Sequence, residues 1–195
     1  TLAGMDAKAG TVTWQRRVGE GQYPDLVAAP LVLGGDVVLG GFTAPLVSVE
    51  QASQNIRWRL DEVGSSHGAT LLDDSEGRTV LHGDSNGILR ALDRITGAVL
   101  WKWDSDTQSA LTSPITTDAG ILVGAASGSL YLVDETSGEQ VWEWLPGYHV
   151  SGFTADPAVD GRQVVGVTNA GQIVSLVAPT RTERAERTAL DHLGL

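Results

Sequence analysis

Short apolar β runs separated by turn signals recur along the whole chain. In Gly87-Ile-Leu-Arg-Ala-Leu-Asp93-Arg-Ile-Thr-Gly97-Ala-Val-Leu-Trp101 and Gly128-Ser-Leu-Tyr-Leu-Val-Asp134-Glu-Thr-Ser-Gly138-Glu-Gln-Val-Trp142, two such runs flank one Asp-x-x-x-Gly turn. The phrase ends on Trp each time, and Trp14, Trp58, Trp101 and Trp142 follow one another at spacings of 44, 43 and 41 residues. A period of roughly 40 to 50 residues made of short strands marks a β-propeller, in which each repeat is one four-stranded blade. The pattern therefore predicts an all-β chain of four-stranded antiparallel blades.

Anchoring on Trp places the other strands. Apolar runs begin 21 residues before the second, third and fourth Trp, at Val37, Val80 and Ile121, and predict the second strand of each copy. Pro30 and Pro114 lie seven residues earlier, and Pro157 stands seven before Val164. Proline at a strand start or edge costs no ladder hydrogen bond, which fits a short innermost strand. The third copy has Thr70 there instead, displaced by a longer turn, Asp73-Asp-Ser-Glu-Gly77. The reading is a propeller region over 1–178, with a partial blade 1–19, blades at about 20–63, 64–106 and 107–147, a partial blade 148–178, and a tail 179–195. The first partial blade supplies a third and a fourth strand, and the last supplies a first, second and third. Two third strands cannot share one blade. The chain is thus expected to be part of a larger ring of about seven or eight blades, the rest missing or supplied by another chain, with two copies in one ring as the competing arrangement.

The four Trp residues are expected to pack between neighbouring blades, because a lone blade cannot bury both faces. Trp103 and Trp144 sit two residues further on, on the same strand face, and extend that seam. The turns follow backbone chemistry. Asp84-Ser-Asn-Gly87, Ala126-Ser-Gly128 and Asn169-Ala-Gly171 join second to third strands, with Gly or Asn where positive φ is needed. Turns opened by Asp6, Asp93 and Asp134 and closed by Gly10, Gly97 and Gly138 join third to fourth strands. In the second copy Glu50 and Gln54 replace Asp and Gly, which predicts an altered turn. The turn role accounts for these acids. A calcium loop needs oxygen ligands at alternate positions and a closing Glu, and no segment supplies that series.

The run Leu130-Tyr-Leu-Val-Asp-Glu-Thr-Ser-Gly-Glu-Gln-Val-Trp142 resembles the PQQ-like repeat, and four copies cover residues 1 to about 145. That repeat is specific for fold and weak for function. Leu111-Thr-Ser-Pro114, Gly124-Ala-Ala-Ser-Gly-Ser-Leu-Tyr131 and Val150-Ser-Gly-Phe-Thr-Ala-Asp-Pro157 are similar to the closing blades of the BamB family, propeller lipoproteins of the outer-membrane β-barrel assembly machinery. The resemblance implies a non-catalytic scaffold in the periplasm, at the inner face of the outer membrane, binding the POTRA domains of a BamA-like barrel protein. It also implies a full protein of about twice this length and a lipid anchor outside the sequence shown. In that family, acids just ahead of an equivalent first strand contact the barrel protein. Asp25 matches one of them, while Val27 stands where a second acid is expected. Tyr23 and Asp25, in the loop from Glu20 to Leu26, are the first candidates for partner contact. Leu145-Pro-Gly-Tyr148-His149 is a second candidate and reads equally as a packed connection.

Composition narrows the alternatives. A net charge of −11 and a pI near 4.6 argue against nucleic acid or an anionic membrane surface as the main partner. There is no transmembrane run and no secretory signal, and the opening Thr1 predicts a processed, trimmed or excerpted chain. The chain has no cysteine. The quinoprotein alcohol dehydrogenases for which the repeat is named carry adjacent cysteines against the quinone, calcium ligands and a catalytic Asp, and no such set stands out. His67, His82, His149 and His192 are far apart without metal-ligand spacing; His82 reads as a strand residue and Ser65-Ser66-His67 as a polar connection. No catalytic, cofactor or metal residue is assigned. The alternatives are a fragment of a quinoprotein oxidoreductase, with its ligands in an absent half, and the ligand-sensing propeller of an envelope receptor. In the tail, Thr180 and Glu183 have capping-box spacing before a short helix, with Ala185, Ala189 and Leu193 on one stripe.

Overall fold

The computed structural model describes residues 1–18, 25–72, 77–145, 152–180 and 182–183. Tyr23, the turn 73–76, the Tyr148 and His149 loop and the apolar stripe of the tail lie outside the described residues. Among the described residues, five antiparallel sheets follow one another in chain order. The first is β1 (Leu2–Met5) with β2 (Val12–Arg16). The second runs β3 (Leu31–Leu33), β4 (Asp36–Leu39), β5 (Leu46–Glu50), β6 (Ile56–Leu60), each strand beside the next. The third, β7 (Thr70–Leu71), β8 (Thr79–Gly83), β9 (Ile88–Asp93), β10 (Val99–Asp104), and the fourth, β11 (Ile115–Thr117), β12 (Gly120–Gly124), β13 (Leu130–Val133), β14 (Gln140–Trp144), repeat that order. The fifth has three strands, β15 (Ala158–Asp160), β16 (Gln163–Val167) and β17 (Ile173–Val177). Pro30, Pro114 and Pro157 each precede the short edge strand that opens a sheet.

Alternation along each strand builds the core as a series of seams between sheets. Val37, Leu39, Val47 and Val49 face back onto Leu2 and Val18, whereas Val38, Leu46 and Trp58 of the same sheet face forward onto Val80 and Leu92. Leu81, Leu89, Ala91 and Trp103 then meet Ile121, Val123, Tyr131 and Val133, with the Trp103 and Tyr131 rings edge to face at 4.8 Å. Leu122, Leu132 and Trp142 meet Val164 and Leu176. A strand residue changes seam with every step because successive side chains point to opposite faces.

A β-bulge stands immediately before each repeat Trp. Gly4 pairs with Trp14 and Met5 with Val12, and Ser48 pairs with Trp58 and Val49 with Ile56. Ala91 pairs with Trp101 and Leu92 with Val99, and Leu132 pairs with Trp142 and Val133 with Gln140. One extra residue per outer strand increases the local twist and re-aims the side chain that follows. That residue is Thr13, Arg57, Leu100 or Val141. The re-aimed ring lands on the next sheet. A Cβ on Gly97 would lie 2.7 Å from the Trp58 ring, and one on Gly138 would lie 2.7 Å from Trp101. The indole N–H groups complete the clasp, Trp58 donating to the carbonyl of Arg94 at 2.8 Å and Trp101 to that of Glu135 at 3.2 Å.

Two of the four Trp residues depart from this clasp. Trp14 lies against Gly4 of its own sheet, and in the next sheet Gln54 occupies the place where a glycine would admit the ring. Trp142 is packed in its seam, but its buried Nε1 has no partner among the described residues. The carbonyl that corresponds to the acceptors used by Trp58 and Trp101 belongs to Ala178 and takes Arg162 Nε at 2.9 Å. Trp144 is half-buried beside Leu130.

The altered turn expected at Glu50 to Gln54 is not found. Gln54 N donates to Glu50 O at 2.8 Å, as Gly10, Gly97 and Gly138 do to their aspartates, and Gln54 takes φ 60° against 69°, 72° and 70° for the glycines. The backbone closes the same turn because the ladder on both sides fixes its ends. What changes is the cap. Asp6, Asp93 and Asp134 accept backbone N–H bonds from residues two and three further on, whereas Glu50 accepts from the Ser53 hydroxyl and pairs with Arg57. These bonds, first among them that from Thr96 N–H, hold Asp93 down to about 2.

Candidate partner-binding face

In an antiparallel sheet of this order, the segment leading into the first strand, the second-to-third loop and the end of the fourth strand all lie at one end. At that end the backbone forms a belt from sheet to sheet. Ser65 N donates to Gly41 O, Ser85 N to Gly64 O, Leu111 N to Asp84 O, Ala126 N to Ala110 O, Phe153 N to Ala125 O and Asn169 N to Gly152 O, all between 2.8 and 3.0 Å. The strands meet so closely that a Cβ on Gly64 would sit 1.9 Å from the Phe42 carbonyl oxygen and one on Gly152 1.8 Å from that of Ala126. Loops held this way form a fixed surface on a rigid frame.

Asp25 lies in this surface. Its Oδ1 accepts from Thr43 N at 2.9 Å and from Thr43 Oγ1 at 2.7 Å, and these two bonds, the backbone one foremost, lower its pKa. The carboxylate is therefore fixed, charged and open to solvent on a half-buried residue, and its backbone packs on Gly41. Val27, two residues on, and Phe42, next to the Thr43 that binds Asp25, are each 58% exposed. Sequence reading did not single out Phe42, because the second-to-third loop differs in every copy. Asp61, Glu62, Asp104, Asp106 and Asp156 stand at the same end, where Arg17, just after β2, is the basic residue among the described residues of these loops and Asp61 pairs with Arg59 of β6 at 2.8 Å. The opposite end, built from the Asp-x-x-x-Gly turns and first hairpins, mixes Lys8, Arg78, Arg94 and Arg162 with its acids.

The histidines do more than the sequence indicated. His67, read there as part of a polar connection, brings Nδ1 to 3.1 Å from Asp156 Oδ1, which also accepts Ser113 N at 2.8 Å. Gly68 N donates to Ser113 Oγ at 3.1 Å. Lead-in segments of three successive sheets are tied in this way, and His67 foremost, with Ser113, holds Asp156 down to about 2. The Ser113 hydroxyl accepts from Gly68 N–H, so the histidine, the serine and the aspartate act here as ties between lead-in segments. His82 is buried. Its Nε2 lies 2.8 Å from Val63 O, and burial pushes its pKa down. Among the described residues, no group of three or more His, Asp or Glu is placed to hold a metal ion, and no helix is long and apolar enough to cross a membrane.

Successive four-stranded antiparallel sheets, seams of alternating apolar residues and Trp-to-turn clasps define a PQQ-like β-propeller protein. The family model for outer membrane protein assembly factor BamB matches residues 1–103 and again 85–184, and the chain belongs to that family. The BamB of Vibrio cholerae is 31% identical over 185 residues and that of Legionella pneumophila 25% identical over 183, each alignment covering 90% of this chain and 45% of the relative. The chain thus spans about half the length of the curated relatives it matches. Solved structures agree on the fold. BamB from Moraxella catarrhalis superposes with a TM-score of 0.71 at 18% identity, over 86% of this chain and 53% of that one. The quinohemoprotein alcohol dehydrogenase of Comamonas testosteroni gives 0.63 at 16% identity, over 74% and 29%.

Proposed function

We propose that this chain forms part of a non-catalytic, protein-binding scaffold in outer-membrane β-barrel assembly, located in the periplasm at the inner face of the outer membrane. The observation that carries the reading is the BamB family match along nearly the whole chain. The belted acidic face around Asp25 supports it as the docking surface, because a fixed carboxylate beside exposed Val27 and Phe42 offers a charged and an apolar contact together. The partner is a basic protein surface, with the POTRA domains of a BamA-like barrel protein as the first candidate. Affinity purification of the full-length protein from its native envelope tests this. Recovery of a POTRA-containing barrel protein is expected, and its reproducible absence alongside a different partner would overturn the assembly role. The shared fold with quinohemoprotein dehydrogenases keeps one rival reading, an oxidoreductase fragment, and a quinone bound to the purified full-length protein would favour it.

The five sheets belong, in this reading, to a larger ring of about seven or eight blades. Ile173 corresponds to Leu46, Leu89 and Leu130, all buried against a following sheet, yet Ile173 is 75% exposed, with Val177 and Val167 exposed beside it. An apolar face at a seam position calls for another blade, supplied by the rest of the protein or by a second chain.

A further inference from the structure

The seam between the second and third sheets holds a histidine and arginine pair at a position where the other described sheets carry no ionisable pair of this kind. At the corresponding cross-strand pair, the second, fourth and fifth sheets carry Leu39 with Val47, Val123 with Tyr131 and Gly166 with Val174. The third sheet carries His82 with Arg90. Both side chains share the strand face of Val80 and Leu92, which pack against Val38, Leu46 and Leu60 of the second sheet. His82 is 1% exposed.

The hydrogen bonds decide what this histidine can tolerate. A carbonyl only accepts, so the Nε2 contact to Val63 O places the proton on Nε2 and leaves Nδ1 as a bare acceptor. No donor among the described residues reaches Nδ1. Asp84, the nearby anion, is engaged elsewhere: Oδ2 takes Arg90, and Oδ1 takes the N–H groups of Asn86 and Ile88 at 2.9 and 3.0 Å. The charges that act on the ring are those of Asp84, at the end of its own strand, and Arg90, on β9. The lead-in contributes the Val63 carbonyl, and the facing second sheet contributes the apolar side chains named above. His67, further along the lead-in, is engaged with Asp156. A proton on Nδ1 would therefore create a buried cation beside Arg90 with no described group placed to accept from it, and a histidine so placed leaves its site instead.

We propose that His82 makes the joint between the second and third sheets acid-labile, so that mild acid detaches the lead-in at Val63 and loosens the face that carries Asp25. The route is continuous. Val63 adjoins Gly64, whose carbonyl accepts Ser85 N; Ser65 N holds Gly41 O; and Gly41 lies against the Asp25 backbone. The neighbouring joint, with Val123 and Tyr131 at the same positions, has no such group.

Hydrogen exchange of the purified chain, with each rate divided by that of the unfolded chain at the same pH, tests the proposal. An open form whose histidine titrates near 6.5 makes opening easier by about tenfold at pH 5.5 than at pH 7.5. The Ser65 and Ser85 amides are expected to lose about tenfold in protection over that interval, while the Leu111 and Ala126 amides of the next joint hold theirs. In His82→Leu, which installs the residue found at position 39, the difference between the two joints is expected to vanish. Parallel behaviour of both joints in the unmodified chain would overturn the proposal, and so would persistence of the difference in His82→Leu. The first comparison lies within one protein and decides the matter even where the variant folds poorly.

Discussion

Trp58 offers the most direct test of how one sheet is fastened to the next. Its ring is 7% exposed, covers Gly97 of the following sheet, and donates its N–H to the Arg94 carbonyl at 2.8 Å. Truncating a buried Trp to Ala costs about 3–5 kcal/mol. Approached from the other side, Gly97→Ala places a Cβ 2.7 Å from the ring at a φ of 72°, so that a left-handed backbone cost of roughly 1–2 kcal/mol adds to a steric clash. If the contact is the fastening, the two changes are not additive, because with Trp58 gone the added methyl meets no ring. Urea unfolding of the two single variants and the double variant, followed by far-ultraviolet circular dichroism, should give a coupling of about 1–3 kcal/mol. Trp14→Ala, which removes a ring lying on its own sheet, should cost less than Trp58→Ala. A Trp58→Ala loss below about 1 kcal/mol, or additivity within about 0.5 kcal/mol, would refute the clasp.

Other predictions concern the binding face, the open seam and acid stability. Asp25→Lys should weaken capture of the POTRA-containing partner, whereas Thr43→Val, which removes the hydroxyl bond but keeps the charge, should weaken it less; equal affinity for all three proteins by interferometry would exclude this loop. Placing Asp at Ile173 and Val177 should reduce self-association of the isolated chain in sedimentation velocity, and an unchanged distribution would remove the exposed seam as its cause. Asp93 and Asp156 are both held to about 2, below the unfolded aspartate value near 3.9, so their contribution is present above about pH 4 and is lost as pH falls towards 2. The melting temperature should fall with that profile, and less steeply in Asp156→Asn, which has lost the titrating group; identical slopes would contradict the His67 and Ser113 tie. The same comparison between pH 7.5 and 5.5 reports on His82, since a folded-state pKa below the ordinary histidine value removes stability as pH drops.

Much of the architecture was legible in the residue pattern because each sheet is a local object. Strand order follows chain order, and turn residues fix where the chain reverses, so a 21-residue step back from Trp suffices to locate strands such as β4, β8 and β12. The face around Asp25 was half legible. The acid stood ahead of a first strand, but the bonds from Thr43 join residues 18 apart, and no local rule predicts that pairing. Phe42, the belt of backbone bonds and the tie from His67 to Asp156, 89 residues apart, were not visible for the same reason.

The sequence by itself determined the repeat, the antiparallel order within each sheet and the turn chemistry, because period, alternation and glycine placement act within a few residues. It also determined the capping box, where Thr180 N donates to Glu183 Oε2 at 2.7 Å and Glu183 N to Thr180 Oγ1 at 3.1 Å. Only the tertiary structure decided which Trp residues fasten neighbours. That depends on a bulge that turns the ring and on a glycine in the following sheet that leaves room for it, as Gly97 and Gly138 do and Gln54 does not. It likewise decided that Gln54 could close a glycine turn, since the flanking ladder holds the backbone whatever the side chain prefers. A contact between sheets is a property of two surfaces brought together, and each surface alone permits more than one outcome.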